Sequence, residues 1–226
     1  INIAGLATGL TCCLLMILHI QHELSFDRFH SKSDRIVRTI MEFSINGSEG
    51  MKGDYTSTKV LPSFKRNFPE VESGVRVSHE GRLVRLGDKV FNEKGFVFAD
   101  STFFDVFDFQ VIEGNRKSLL ESPNQIVLTA TSAKKYFGEE SAVGKTILIG
   151  SGQMPFKVTG VVEDCPSNSQ IDFDFLASFS SLGTAQEETY FNANYTTYLL
   201  LRSPSSLATL QPKITPFMKK ELINEK

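Results

Sequence analysis

Charged residues are missing from the first 22 positions, INIAGLATGLTCCLLMILHIQH, although the whole chain of 226 residues carries 24 basic and 26 acidic side chains. An apolar run of about 20 residues is long enough to cross a hydrocarbon core of ~30 Å as a helix. A cleaved signal sequence, the alternative, would have a shorter apolar region, a basic flank before it and a small-residue cleavage site after it. Because both flanks are missing, the pattern favours a retained transmembrane helix over residues 1–22, followed by a membrane-exit segment over residues 23–34.

Cysteine and tryptophan are also scarce. The chain has three cysteines and no Trp, against 19 Phe, so its core has to be built from Phe and aliphatic side chains. Cys12 and Cys13 lie in the apolar run and Cys165 stands alone outside it, which excludes a disulfide scaffold. The formal net charge of −2 gives no support for a nucleic-acid partner, which would require a basic surface.

Within the apolar run, Gly5 and Gly9 are spaced as G-x-x-x-G. Small residues four apart allow two helix backbones to approach closely in lipid, where packing replaces the hydrophobic effect. The spacing therefore predicts a helix-packing face at Gly5 and Gly9. The alternative is that these glycines reflect only the high glycine content of membrane helices.

The rest of the chain alternates between strand and helix patterns. The apolar helix is expected to continue into solvent and to break near Ser31. A β-branched run predicts a strand over residues 35–45, followed by a turn at Asn46–Gly50. A short helix over residues 59–68 and a strand over residues 71–77 complete a β-α-β unit, and mixed elements in this order favour an α+β fold.

Capping residues predict where two of the helices begin or end. Asp100 is expected to cap a short helix that carries Phe103, Phe104 and Phe107. Gly138 is expected to end a helix over residues 130–137, which follows a strand over residues 125–129.

Towards the end of the chain, Ser203 and Pro204 are expected to begin a last helix, with Ser203 as its N-cap. Pro212 and Pro216 lie inside its apolar pattern and are expected to kink or split it.

Only weak candidates for chemistry are present. Gly144-Lys145-Thr146 resembles the end of a phosphate-binding loop, but Gly138 is one residue too far away and a strand pattern follows where a helix is required. No nucleophile–base pair is recognisable, so the chain is predicted not to be an enzyme and no catalytic or cofactor-binding residue is assigned.

Two groups have the residue types of metal sites. His19 and His22 are three apart, with Glu23, Asp27 and His30 further along the chain, but polar residues commonly end a membrane span. Asp172 and Asp174 share one face of an alternating segment, where solvated carboxylates are the simpler interpretation. We therefore predict no metal ligand.

Three later stretches, together with the apolar start, resemble a known family. They are FVFADSTFFDVFDFQVIEGN (96–115), QIVLTATSAKKYFGEESAVGKTILIG (125–150) and FKVTGVVEDCPSNSQIDFDFLASF (156–179). In this order, and with TYLLLRSPSSLATLQPKI (197–214) after them, they resemble the MacB-like periplasmic core domain of FtsX-type ABC transporter permeases. The resemblance covers most of the chain.

The resemblance implies an extracytoplasmic domain inserted between the first two membrane helices of a permease. It implies two lobes: a membrane-proximal lobe of the β-α-β type (residues 35–77 and 190–226) and an inserted, mixed α+β distal lobe (residues 78–189). A further strand and three more membrane helices are expected after residue 226.

The same resemblance implies a function in which a separate ATP-binding subunit hydrolyses ATP in the cytoplasm and the external domain moves, for export or lipoprotein handling. The implied partners are that ABC subunit, a second permease copy, membrane lipid, and a periplasmic adaptor or outer-membrane component. The implied location is the bacterial inner membrane, with residues after about 23 in the periplasm. A membrane-anchored ligand sensor and a tethered hydrolase are the alternatives.

Overall fold

The computed structural model describes residues 2–43 and 51–225. Its first element, helix α1 (Asn2–Ser25), has no buried residue. Among the described residues, α1 is the one helix long and apolar enough to cross a membrane, with a mean hydropathy of 2.1 over its most apolar window. It ends at Ser25 rather than near Ser31, because Asp27 adopts a left-handed backbone with φ 57° that a helix does not accommodate.

A sheet-rich body follows α1. The remaining helices are α2 (Val60–Asn67), α3 (Phe103–Val106), α4 (Ala130–Phe137) and α5 (Ser206–Asn224). The strands are β1 (Ile36–Arg38), β2 (Met41–Phe43), β3 (Met51–Gly53), β4 (Val71–His79), β5 (Arg82–Leu86), β6 (Lys89–Glu93), β7 (Phe96–Ala99), β8 (Val111–Gly114), β9 (Gln125–Thr129), β10 (Thr146–Ile149), β11 (Met154–Val162), β12 (Phe175–Ser178) and β13 (Thr196–Leu201).

One sheet organises the body. Its strands run in the order β1-β13-β4-β7-β12-β9-β11-β10-β5-β6, with β8 pairing beside β11, while β2 and β3 form a separate hairpin. Within the described sheet, β7 with β12 and β9 with β11 are parallel neighbours and the other pairs are antiparallel. The predicted α+β class with an N-terminal apolar helix is confirmed. The boundaries of the two lobes stay a prediction, and the sheet continues across them where Val77 of β4 pairs with Ala99 of β7.

Strand β13 separates two apolar clusters. Its side chains alternate, so Tyr198 and Leu200 face a cluster rich in phenylalanine around α3, which we call the aromatic cluster. Leu199 and Leu201 face the opposite cluster, formed with α2 and α5. A third cluster, on the far part of the sheet, packs α4 against β9 and β11.

The strand predicted over residues 35–45 is wrong as a single element. It is divided into β1, which pairs with β13, and β2, which pairs with β3 in the separate hairpin. Thr39 continues the register of β1 by one residue, since its N–H and its hydroxyl donate to the Thr197 carbonyl at 2.9 and 3.0 Å. Part of the predicted strand and the turn predicted at Asn46–Gly50 lie outside the described residues.

The predicted cap at Asp100 is also wrong. Thr102 occupies the N-cap position of α3 and makes no side-chain capping bond. The Asp100 carboxylate instead accepts two hydrogen bonds from the Arg76 guanidinium, at 2.7 and 2.9 Å. A bidentate ion pair with a neighbouring strand therefore outcompetes the local capping bond. By contrast, the end of α4 at Gly138, with φ 67°, is confirmed.

Helix α5 corrects its predicted start and the predicted split at its two prolines. It begins at Ser206 rather than at Ser203, because Ser203 and Pro204 lie in a turn closed by a bond from the Ser206 N–H to the Ser203 carbonyl. Pro212 and Pro216 do not split it, and a single helix runs through both. Each proline removes one backbone donor, but Leu210 and neighbouring apolar side chains pack the helix onto the α2 cluster, and such packing supplies most of the stability of a helix in a protein.

At Gly74, β4 and β13 lie too close together for a larger side chain. A Cβ at this position would lie 2.7 Å from the Tyr198 carbonyl oxygen and would also overlap the Leu61 side chain. We expect Gly74→Ala to lower the free energy of unfolding by about 1–3 kcal/mol, since overpacking forces backbone shifts. Thermal unfolding in detergent measures the effect, with Gly152→Ala as the control, because a Cβ there meets nothing within 4 Å. Equal melting temperatures for the two variants would contradict the close packing.

Candidate functional site: the junction between the apolar helix and the sheet

The end of α1 is held to the body by the segment that precedes β12. The Asn168 amide donates to the Ser25 carbonyl at 3.1 Å and to the Ser25 hydroxyl at 3.0 Å. The Asp27 N–H donates to the Asn168 carbonyl at 2.9 Å, and the Asp27 carboxylate accepts from the Gln170 N–H at 2.9 Å. Carbonyls at a helix end lack partners within the helix, so Asn168 supplies one from a distant part of the chain.

Beyond this clamp the chain enters the aromatic cluster. His30 is 3% exposed and its ring lies 5.1 Å from Phe107 and 5.5 Å from Phe109, between ring centroids. Phe29 meets Phe109 edge to face at 5.9 Å. Aromatic pairs at such separations add to the stability that area burial provides, so the exit segment is anchored by rings rather than tethered as a free linker.

Asp108 closes this anchor. Its carboxylate accepts hydrogen bonds from the Ser31 N–H at 2.6 Å and from the Ser31 hydroxyl at 2.7 Å. Its own N–H donates to Nδ1 of His30 at 3.0 Å. Although burial opposes ionisation, the two Ser31 bonds and the nearby Arg116 guanidinium outweigh it and hold the pKa of Asp108 below its usual range. We name residues 25–31, 107–109 and 168–170 the helix junction.

Arg116 keeps the Asp108 loop in shape. Its guanidinium donates to the carbonyls of Phe104, Phe107 and Phe109 at 2.6–3.0 Å. It also lies 3.8 Å from the Asp108 carboxylate. One side chain thus satisfies three loop carbonyls and holds the acceptor for Ser31 in place.

From the helix junction the chain passes directly into the sheet. β1 pairs with β13, with Ile36 opposite Leu200 and Val37 opposite Leu199. The Arg35 guanidinium adds bonds to the Leu201 carbonyl at 3.1 Å and to Glu72 at 2.9 Å. The strand that follows α1 is therefore hydrogen-bonded to the strand that precedes α5.

Helix α5 is fixed on the opposite face of β13. Phe217 meets Phe68 at 4.9 Å and Phe64 at 6.1 Å, both edge to face. Near its end, the Glu225 carboxylate pairs with Lys59 at 2.8 Å and accepts from the Tyr190 N–H at 2.8 Å. The start of the body, through β1, and its end, through α5, are thus both attached to β13.

The predicted packing glycines lie on α1. Gly5 and Gly9 are exposed, and a Cβ at either one would meet nothing within 4 Å. Both positions are free to approach another helix, and the packing face stays a prediction.

The weak chemical candidates around Gly144 and Asp172 are not among the residues of the helix junction. Gly144 is in a turn with φ 85° and Thr146 begins β10, so a strand follows where a phosphate-binding loop needs a helix. Asp172 and Asp174 are exposed on either side of the buried Phe173. Among the described residues, no group of three His, Cys, Asp or Glu side chains is arranged to hold a metal ion.

Sequence reasoning missed the residues of the helix junction. His30 drew attention only as a distant neighbour of His19 and His22, and Asp108 and Asn168 carried no motif. Asp108 is 77 residues from Ser31, and Asn168 is 143 residues from Ser25. The one available signal was Asp108 itself, a charged residue between two phenylalanines, which marks a carboxylate next to a core.

The comparisons with known proteins agree with this architecture. The family described as the MacB-like periplasmic core domain matches residues 1–217. A domain of a protein described as a permease from Porphyromonas gingivalis is 26% identical, with a TM-score of 0.68 over 79% of this chain and 78% of that one.

Two further solved structures share the fold at 16% identity. The periplasmic region of MacB from Actinobacillus actinomycetemcomitans has a TM-score of 0.59, covering 82% of this chain and 83% of that chain. The extracellular domain of the noncanonic ABC-type transporter YknZ from Gram-positive bacteria has a TM-score of 0.55, covering 77% and 87%. No curated protein matches the chain.

The state of His30 predicts a pH dependence. Burial lowers the pKa of His30 despite the nearby Asp27 and Asp108 carboxylates, so the folded state holds a neutral imidazole that accepts the Asp108 N–H. The unfolded chain takes up a proton as the pH falls below about 6.5 and the folded chain resists it. The contribution of His30 to stability is therefore complete above that pH and is lost as the pH falls towards the folded pKa.

We expect the melting temperature to fall between pH 7.5 and pH 5.5, and to fall less in His30→Gln. His22→Gln is the control, because His22 is exposed in the last turn of α1, and it should show the full decline. An identical decline in all three proteins would contradict a neutral, buried His30.

Proposed function

Because the chain belongs to the MacB-like periplasmic core domain family, the extracytoplasmic domain of ABC-type transporter permeases, we propose that it carries movement from membrane helices to an external body. In this proposal ATP hydrolysis by a cytoplasmic ABC subunit shifts α1, and the helix junction transmits that shift to the sheet. The result is export of a substrate or handling of lipoproteins.

The observation that carries the proposal is the double attachment of β13. The helix junction and β1 reach its aromatic-cluster side and its edge, while α5 covers the other side. A displacement of α1 relative to α5 would load the hydrogen bonds between β1 and β13 directly. A domain joined to its membrane helix by a free linker could not transmit such a displacement.

The proposal includes the partners and location that such a machine requires. They are an ATP-binding subunit, a second permease copy packed through the Gly5 and Gly9 face of α1, and a periplasmic adaptor or outer-membrane component. α1 would lie in the bacterial inner membrane and residues after about 23 in the periplasm.

The proposal assigns no catalytic step to this domain. The residues best placed in the helix junction are a buried neutral imidazole and a carboxylate occupied by two donors from Ser31. An imidazole lone pair and a carboxylate that are committed to structural bonds are suited to holding a joint, not to activating a substrate.

Asp108→Asn tests the transmission. The amide keeps the shape of the side chain but replaces an ionised acceptor, and hydrogen bonds to charged groups are roughly twice as strong as neutral ones. In the permease purified with its ATP-binding subunit, we expect the variant to hydrolyse ATP while the nucleotide-dependent distance change between two external domains falls by about half or more. Spin-label distances with and without trapped nucleotide measure this change.

Asp105→Asn is the matched control, since Asp105 is exposed on α3 and only its carbonyl bonds to the exit segment. It should move as the wild type does. Recovery of the permease without any ATPase, or equal movement in Asp108→Asn, would contradict the proposal.

A further inference from the structure

A cleft opens where α1 leaves the membrane. Its volume is about 370 Å³, and it lies between the exit segment, β1 and the aromatic cluster. Pockets of roughly 300–1,000 Å³ are the usual size for small-molecule sites. Its apolar wall includes Ile36, Phe107 and Tyr198.

The length of α1 determines where this cleft would lie relative to the bilayer. A helix of 24 residues is about 36 Å long, compared with ~30 Å for the hydrocarbon core and ~40–45 Å for a bilayer with its headgroups. The apolar run ends at Ile20 and the polar Gln21, His22 and Glu23 follow. If α1 spans the membrane as proposed, its last turn and the mouth of the cleft at Phe26 lie in the headgroup layer.

The charges that line the cleft are balanced. Arg28 and Arg38 supply two positive charges, and Asp27 and Asp34 supply two negative ones. Arg38 pairs loosely with Asp54 at 3.3 Å. In the described part of the chain, Arg28 and Asp34 form no ion pair with each other or with another residue, so both are available to a ligand that carries both signs.

We infer that this cleft binds the headgroup of a zwitterionic phospholipid. The phosphate would lie against Arg28 and Arg38, the ammonium would lie against Asp34 and the free oxygen of Asp27, and the glycerol end would contact the aromatic wall. An anionic headgroup would satisfy the two arginines but would meet the two carboxylates with repulsion. Bound lipid would then hold the cleft side of the helix junction at a fixed depth in the membrane.

The experiment is native mass spectrometry of the whole chain, α1 included, in mild detergent with added phosphatidylethanolamine. We expect one lipid to be retained at saturation, phosphatidylglycerol to be retained less, and inorganic phosphate not to displace the bound lipid. Arg28→Ala and Asp34→Asn should each weaken retention about fivefold, as expected for loss of one exposed charged contact. Arg66→Ala is the control, because Arg66 is also an exposed arginine but lies on α2, outside the cleft.

Several results would overturn this inference: unchanged retention in both cleft variants, equal retention of phosphatidylglycerol, or displacement of the lipid by inorganic phosphate, which would indicate a free-phosphate site. The inference rests on the proposed membrane insertion of α1, which alkaline extraction of membranes measures separately. A chain that stays in the membrane but retains no phosphatidylethanolamine refutes the headgroup site and leaves the proposed coupling function standing.

Discussion

The attachment of α1 depends on one reciprocal contact, in which Asp108 accepts two hydrogen bonds from Ser31 and donates its own N–H to the buried ring of His30. Each half of this contact has its own physical condition. The imidazole can accept only while it is neutral, which burial among Phe29, Phe107 and Phe109 favours. The carboxylate can remain ionised in that surrounding because Ser31 and Arg116 satisfy it. Without this pairing, the exit segment would lose its attachment to the Asp108 loop, and the Asn168 bonds to Ser25 and Asp27 and the β1–β13 pairing would have to hold the helix.

In the proposed function, the sheet topology links this contact to α5. β1 continues from the helix junction and β13 leads to α5, so the strands nearest the two ends of the body are hydrogen-bonded neighbours. The alternating side chains of β13 then connect the aromatic cluster on one face with the α2 and α5 cluster on the other. In the proposed function this fold would need no reactive group, because stiff packing between adjacent attachments would convert a shift of α1 into a movement of the body.

Features determined by nearby residues could be predicted from the sequence. The apolar helix, the strand and helix over residues 125–137 and the stop at Gly138 follow from local periodicity and capping, and the structure confirms them. The family resemblance was likewise confirmed. The break between β1 and β2, the Arg76–Asp100 ion pair and the continuity of α5 through Pro212 and Pro216 were not predictable in this way. Each depends on a partner contributed by another element, and the helix junction depends on partners 77 and 143 residues away.

The central claim is that α1 and the sheet move as one body, and a distance distribution tests it most directly. Spin labels would be placed at Gln21 on α1 and at Lys94 between β6 and β7, both exposed, with the three native cysteines replaced. Double electron–electron resonance would measure the distance between the two labels. A label pair at Lys65 and Lys94, both outside α1, sets the width expected within the body. The account predicts a single distribution from Gln21 to Lys94 that is as narrow as this reference. A broad or multiple distribution, showing a helix that swings freely against the sheet, would contradict it.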